Sequence, residues 1–536
     1  MRARLVRCRS GYPSAGMRTL GGGCAAWAVF AVPSACDGSS VVDAGAGDAG
    51  AIEAGLADAG GPVHIQLLSI TDFHGRVRQD GTTPGVSRLA AEIAALEAET
   101  PASLLLSAGD LIGGSTLHSA ILHDEPTIEV MALLGLDVAA VGNHEFDRSL
   151  AELRRLLVGG CHPEHGCVDP ARPFEGASFP LLAANVLDAT SGEPVLPPYV
   201  ILEVGGVRVG FVGLTLVETR ELAPAWHVAG LRFEDEADTV NRYLPRMRGE
   251  GAEVIVVILH GGVASASTRA CADPAGGAWD DITRFDPGVD VIFLGHTHVP
   301  YACEVEGRLF VSAGRWGEHV ADVDLVFDPG SGAVIERSAR LVRVTTTETV
   351  PAVDDYLAWL DGVVGERAAR VVGRIAQDVP NITDEAGSRA TGYLVADAML
   401  AAAPGADLAL TNPGGLRAPL AYAASGEEGE DGLVTYAELF ALLPFGNAVL
   451  TMTLTGAQLE ALLEEQLVTG RILQPSASLR YALGRTPGDA IDPAEVFVGG
   501  APLDLGARYR VVVNDYIAEG GDGFTSLAAG TDREPG

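Results

Sequence analysis

The stretch VGNHEFD, Val141–Asp147, closes the apolar run LDVAA and sets Asn143, His144, Glu145 and Asp147 within five residues. Two readings compete. In one, a buried strand turns into a helix and Asn143 is the cap, a position that Asn favours. In the other, the polar cluster belongs to an active site, with Asn143 on a metal ion and His144 on a substrate. The heptapeptide supports both readings, and the rest of the chain separates them.

The same pattern recurs along the chain. VHIQLLSITDFHG, ASLLLSAGD, LDVAAVGNHEFD, AEVIVVILHGG and VDVIFLGHTHVP each pass from apolar, β-branched residues into a polar cluster. Uninterrupted apolar runs of this kind fit strands buried on both faces. Helical patterns lie between some of them, as in GVSRLAAEIAALEAE at Gly85–Glu99. Strands alternating with helices predict an α/β layered domain whose ligands bind beyond the carboxyl ends of the strands. Those ends carry Asp72 and His74, Asp110, Asn143 and His144, His260, and His296 and His298. One Asp or His at a strand end is ordinarily a capping or hydrogen-bonded residue. Five strand ends in turn are not explained that way. Carboxylate, imidazole and amide oxygen together suit divalent ions of intermediate hardness, such as zinc, manganese, iron or cobalt. A bridging carboxylate would hold two such ions roughly 3.5–4 Å apart.

In this order the residues resemble the calcineurin-like metallophosphoesterase superfamily, whose pattern is D-x-H, G-D, G-N-H-E/D, H and G-H-x-H. The blocks stand here as DFHG (Asp72–Gly75), GD (Gly109–Asp110), GNHE (Gly142–Glu145), His260 in LHGG, and GHTH (Gly295–His298). The resemblance implies a four-layer αββα domain over residues 63–348 with two divalent metal ions. Asp72, His74, Asp110 and His298 would hold one ion. Asp110, Asn143, His260 and His296 would hold the other, with Asp110 bridging. His144 is then the non-ligand that acts on developing charge or on the leaving oxygen. Asp147, three residues on, shares a helical face with His144, where it would orient the imidazole and favour its protonated form. Glu145 receives no chemical role.

Beyond this region the pattern changes. Residues 349–371 read as a connecting helix with Tyr356, Leu357 and Leu360 on one face, and residues 372–530 as a smaller α+β region. Within it Thr455 and Gln458 have capping-box spacing, and Leu459, Leu462, Leu463 and Leu467 form a core stripe. TNPGGLR (Thr411–Arg417), LPFGN (Leu443–Asn447) and NDYIAEGGDGF (Asn514–Phe524) resemble the substrate-binding C-terminal domain of the 5′-nucleotidases. That group includes periplasmic UDP-sugar hydrolases and cyclic-nucleotide phosphodiesterases. The resemblance implies that Phe445 and Tyr516 stack on a nucleobase, Asp522 accepts from ribose hydroxyls, Asn412 contacts the nucleoside and Arg417 binds phosphate. Aromatic faces hold a base at about 1–3 kcal/mol each, and Arg forks onto phosphate. One block departs from the family: GSRATGYLVADA (Gly387–Ala398) has Ser388 and Tyr393 where many relatives have Glu and Asn. By the resemblance, Arg389 would stand in for the arginines that other members present near this helix, or leave that role unfilled. Family members rotate the C-terminal domain, which implies a hinge near residues 350–373.

The formal net charge of −35 over 536 residues argues against a surface for nucleic-acid polymers, which needs Lys and Arg to replace phosphate counterions. Residues 1–36 are different in kind. Arg2, Arg4, Arg7, Arg9 and Arg18 occur there with no acid, followed by AAWAVFAVPSA at Ala25–Ala35. This is the order of an export signal, with an apolar part shorter than the roughly 20 residues that span a bilayer. Met17 is an alternative start. Cys36 resembles a lipoprotein cleavage box, with Pro33 where such boxes usually have Leu; plain cleavage to a free protein is the alternative. Residues 37–62, rich in Gly, Ala and Asp, read as a flexible tether. The expected location is the periplasm, or the outer membrane or cell surface through a lipidated Cys36.

Four cysteines remain in the body. An even number in an exported chain predicts disulfides, here Cys161–Cys167 around CHPEHGC and Cys271–Cys303. The alternative for the first pair is a metal site on His162 and His165, although the spacing is not a standard zinc pattern.

The expected function is an exported two-metal hydrolase that removes the 5′-phosphate of nucleotides. A phosphodiesterase on 2′,3′-cyclic nucleotides or nucleotide sugars is the alternative. A surface binding protein without catalysis is disfavoured by the intact ligand set, and a sulfur-ester hydrolase by Phe445 and Tyr516.

Overall fold

The computed structural model describes residues 61–535 except 80, 82, 224–226, 265–270, 425–429 and 483–490. The export signal, Cys36 and nearly all of the 37–62 tether lie outside the described residues. Among the described residues, no helix is long and apolar enough to cross a membrane.

Two six-stranded sheets dominate the first part of the chain. Strands β1 (Val63–Ile70), β2 (Ser103–Ser107), β3 (Val138–Ala140) and β4 (Leu181–Leu182) run parallel in one sheet. Strands β5 (Tyr199–Val204), β6 (Val207–Thr215), β7 (Val254–His260), β8 (Val291–Leu294), β9 (Pro300–Val305) and β10 (Arg308–Ala313) form the other. The antiparallel strands β11 (His319–Asp328) and β12 (Ala333–Arg343) then return to the first. The orders are β12-β11-β1-β2-β3-β4 and β9-β10-β8-β7-β6-β5.

Alternation along each strand builds the layers, because successive side chains point to opposite faces. In β1, Ile65 and Leu67 enter a core shared by the two sheets, while Leu68 and Ile70 enter a second core beneath helices. In β7, Val254, Val256 and Ile258 face the sandwich and Ile255, Val257 and Leu259 face the opposite helical layer. Full burial of each such side chain stabilises by about 1.5–3 kcal/mol. Helices α1 (Val86–Glu97) and α2 (Glu125–Leu134) cover the first sheet, and α3 (Glu236–Gly249) covers the second. The architecture is the expected four-layer αββα.

Helix α4 (Pro351–Ala368) forms where the connecting helix is predicted, with Pro at its first turn, a position where the missing N–H costs nothing. It buries Val353, Tyr356, Leu357, Leu360 and Val364 in the same core as α1 and α2. The second region carries a five-stranded mixed sheet. Its strands are β13 (Leu408–Thr411), β14 (Val449–Thr455), β15 (Gln474–Pro475), β16 (Arg508–Asn514) and β17 (Thr531–Pro535), in the order β15-β13-β16-β14-β17. It includes helices α5 (Ala390–Ala402) and α6 (Gly456–Thr469). The Thr455–Gln458 capping box is present, with Leu459, Leu462 and Leu463 fully buried and Leu467 packed against them. The sheet runs past residue 530, because the polar edge strand TDREP pairs with β14. Both disulfides, Cys161–Cys167 and Cys271–Cys303, are formed.

Candidate metal centre and substrate cleft

Parallel pairing brings five strand ends to one edge of the sandwich. Asp72 and His74 follow β1, Asp110 follows β2, Asn143 follows β3, His260 ends β7, and His296 and His298 follow β8. Asp72, His74, Asp110, His296 and His298 all have positive φ, between 48° and 69°. The left-handed region costs a non-glycine residue roughly 1–2 kcal/mol, and such strain concentrates at functional sites. Glycines make the close approach possible. A Cβ on Gly142 would collide with the Asp110 carboxylate, and one on Gly109, at φ 91°, would lie 2.7 Å from His260 Nδ1.

The side chains converge in three overlapping groups, one of which joins His144 to His74 and Asp110. His298 Nε2 lies 3.3 Å from Asp72 Oδ1 and 3.1 Å from His74 Nε2. His260 Nε2 lies 3.1 Å from Asp110 Oδ2 and 3.2 Å from Asn143 Oδ1, and His296 Nδ1 lies 3.0 Å from that same oxygen. Asp110 also approaches His74, with Nε2 at 3.8 Å from its Oδ2. Donor atoms of Asp72, His74 and His298, and likewise of Asp110, His260 and His296, lie within 4.8 Å of one another.

Surrounding bonds aim these donors. His74 Nδ1 donates to the Gly113 carbonyl and His260 Nδ1 to the Ala108 carbonyl, each at 2.7 Å. In each ring that leaves the Nε2 lone pair facing the cluster, as metal-binding imidazoles require. Thr71 Oγ1 and the His296 N–H donate to Asp72. The donor set therefore fits divalent metal ions.

Asn143 does not cap. A single 3₁₀ turn, His144–Phe146, follows it, and its side chain makes no capping bond; the amide oxygen is turned to His260 and His296 instead. Within that turn His144 Nδ1 and Asp147 Oδ2 are 2.7 Å apart. Burial alone favours the neutral imidazole, but Asp147 and Asp110 outweigh it and raise the His144 pKa to about 10.

Glu145, unassigned from the sequence, is a buried brace. Its carboxylate accepts the backbone N–H groups of Asp110, Leu111, Ile112 and Gly142. It ties the loop after β2 to the loop after β3. The GNHE motif flags its position, but three of the four partners lie more than thirty residues away.

A cavity of about 460 Å³ opens beside His144 and Asp147, and its far wall includes Asn412, Phe445, Tyr516 and Asp522. Phe445 and Tyr516 are 49% and 44% exposed and line this cavity. Asn412 Nδ2 donates to Asp522 at 2.9 Å, and Asn412 Oδ1 accepts from Asn514. Arg471, which the sequence reading did not single out, pairs with Asp522. Neither Arg389 nor Arg417 is among the residues lining this cavity. Arg389 bonds instead to Thr383, Asn381 and the Pro413 carbonyl. The Arg417 guanidinium lies over the Phe445 ring, 5.7 Å from its centre.

Residues 65–300 match the family of calcineurin-like phosphoesterases, and residues 371–529 match the 5′-nucleotidase C-terminal domain. The chain is 31% identical over 473 residues to endonuclease YhcR of Bacillus subtilis, covering 85% of this chain and 37% of that protein. It is 30% identical over 515 residues to the cell wall protein Lmo0130 of Listeria monocytogenes, covering 87% of this chain and 64% of that one. The chain thus spans less than two thirds of either relative. Among solved structures, it is similar to a 5′-nucleotidase precursor from Thermus thermophilus, with 26% identity, TM-score 0.59, and 88% of this chain and 93% of that one covered.

Proposed function

We propose that this chain, whose residues 65–300 and 371–529 match the calcineurin-like phosphoesterases and the 5′-nucleotidase C-terminal domain, is a phosphate-ester hydrolase that removes the 5′-phosphate of nucleotides using two divalent cations. One observation carries this reading: the exposed aromatic pair Phe445 and Tyr516 shares a cavity with His144 and Asp147. A base held at one end thereby presents its phosphate toward the strand-end cluster.

Asp72, His74, Asp110 and His298 would hold one ion, and Asp110, Asn143, His260 and His296 the other. When bound, such ions neutralise phosphoryl oxygens and acidify water enough to supply hydroxide near neutral pH. The remaining tasks fall to the chain. Phe445 and Tyr516 grip the base. Asp522, steadied by Asn412 and Arg471, accepts from the ribose hydroxyls. His144, kept protonated by Asp147, hydrogen-bonds the phosphoryl group and gives a proton to the departing ribose oxygen.

A second reading, a phosphodiesterase, is favoured by a wider groove of about 1190 Å³ that shares Asp147, His227, Phe445 and Gly446 with the cavity. It leaves room for a group beyond the phosphate, in keeping with the endonuclease name of the Bacillus relative. Export to the cell envelope is also part of the proposal. It is supported by the basic-apolar leader, by both disulfides and by the cell-wall name of the Listeria relative.

The test is turnover of AMP, 2′,3′-cyclic AMP, UDP-glucose and p-nitrophenyl phosphate by protein supplied with manganese or zinc. Preference for AMP supports the monoesterase, and preference for the cyclic or sugar nucleotide supports the diesterase. No turnover of any substrate overturns both, and equal rates on all four overturn base recognition.

A further inference from the structure

The loop CHPEHGC does two things that its sequence presents as alternatives. Its cysteines close a disulfide. Its histidines, freed from that role, meet a third histidine from another part of the fold. His162 and Gly166 pair as a two-way backbone bridge, which makes the loop a tight hairpin. His162 and His165 are thereby turned to one side, their ring centres 4.6 Å apart. His123, just before α2, lies against both, with ring centres at 4.0 Å and 4.8 Å.

We propose that His123, His162 and His165 form a further binding site for a divalent transition metal of the zinc type, separate from the strand-end cluster. Imidazole nitrogen is the donor that zinc, copper and nickel favour. Tetrahedral zinc with bonds of 2.0–2.1 Å sets its donor nitrogens about 3.3 Å apart. Here His162 Nδ1 and His165 Nδ1 are 3.1 Å apart, and one nitrogen from each of the three rings falls within a 4.8 Å span. Small ring rotations complete the set.

The surroundings select for a cation shared among lone pairs rather than for charged imidazoles. Among the described residues, no carboxylate oxygen lies within 4 Å of any of the three rings as an ion-pair partner. The basic neighbour Arg148 donates to His123 Nδ1 at 2.9 Å. Three protonated rings at this spacing would repel one another, whereas each neutral ring carries one lone pair. In the structure His162 Nδ1 accepts from the Glu164 and His165 N–H groups, each at 3.2 Å, and Arg148 takes the His123 lone pair, so an incoming ion competes with these donors. Arg148 keeps a second bond to the Ala120 carbonyl when displaced. Three protein ligands leave a fourth position for water or a small anion. The rings line the groove that continues to Asp147 and Phe445, which gives such a ligand access.

The test compares metal content in the full chain. Wild type, the double variant His162→Ala/His165→Ala, and His123→Asn are equilibrated with graded zinc, dialysed and analysed by mass spectrometry. Asn suits position 123 because it tolerates the positive φ of 58° found there. Each variant should retain one equivalent of zinc less than wild type at saturation, with unchanged phosphate-ester turnover in excess manganese. A zinc-induced rise in melting temperature should also shrink in the double variant. Equal zinc content in wild type and the double variant overturns the site. The hairpin is surface-exposed and closed by its own disulfide, so the double variant keeps the test valid if His123→Asn folds poorly. Because the readout is a difference between variants, it stands whatever number of ions the strand-end cluster holds.

Discussion

His144 Nδ1 and Asp147 Oδ2 lie 2.7 Å apart across a single 3₁₀ turn, beside the strand-end donors. In the proposed mechanism this pair handles the proton and the strand-end donors hold the ions. His144→Asn should therefore lower kcat by roughly 10²–10⁴-fold while metal content stays at the wild-type level. Asp147→Asn should give a smaller loss of the same kind. Loss of metal from His144→Asn would contradict the division.

Glu145→Gln tests the brace. The amide replaces one acceptor oxygen by a donor that faces backbone N–H groups, leaving at least one of them unpaired. A buried unsatisfied group costs about 1–3 kcal/mol. The variant should melt at lower temperature and bind metal more weakly, because Asp110 hangs from the same loop. Thermal melts and metal analysis check this.

Phe445→Ala and Tyr516→Ala should each raise KM for nucleotides by roughly 5–150-fold, from stacking of about 1–3 kcal/mol. Turnover of p-nitrophenyl phosphate, which has no base to stack, should change little. Steady-state kinetics on both substrates distinguish a grip on the base from general damage.

Glu236 gives a pH signature remote from catalysis. Burial, reinforced by Asp281, raises its carboxyl from the ordinary 4.5 to about 7. Folding therefore takes up a proton between these values, and the stability it provides, full below 4.5, is lost as pH rises through 7. Glu236→Gln keeps an acceptor for the Val217 N–H without the charge. It should raise the melting temperature at pH 8 by roughly 1–2 °C, about 1 kcal/mol, and leave it unchanged at pH 4.

Chelation should abolish turnover, and manganese or zinc should restore it. Far-ultraviolet circular dichroism should be unchanged throughout. Collapse of the spectrum on chelation would show that the ions, rather than the protein bonds described above, hold the loops.

Much of this was legible in the sequence because the relevant information is local. Each candidate metal donor lies at the end of an apolar run, and parallel strands carry such ends to one edge. The alternation of Ile65, Leu67 and Leu68 is enough to foresee burial on two faces. What escaped depends on contacts between distant segments. Glu145 sits in a recognised motif, yet three of its four partners are backbone groups of another loop. Arg389 is compatible with phosphate by type, but tertiary packing commits it to Asn381, Thr383 and Pro413. His123 lies about forty residues from the hairpin it touches, and no spacing rule joins them. Strand β17 has no apolar alternation, since an edge strand needs none to pair. Asn143 had the right residue type for a cap, and two imidazoles took its oxygen instead.

The Glu145 carboxylate has one further consequence. Four backbone N–H groups drawn from two loops end on this one carboxylate, so a shift of either loop moves Asp110 and Asn143 together. If the chelation experiment finds the loops unchanged, the chain can fold in surroundings poor in metal and take up ions later, and one folded chain would serve with different ions in different settings.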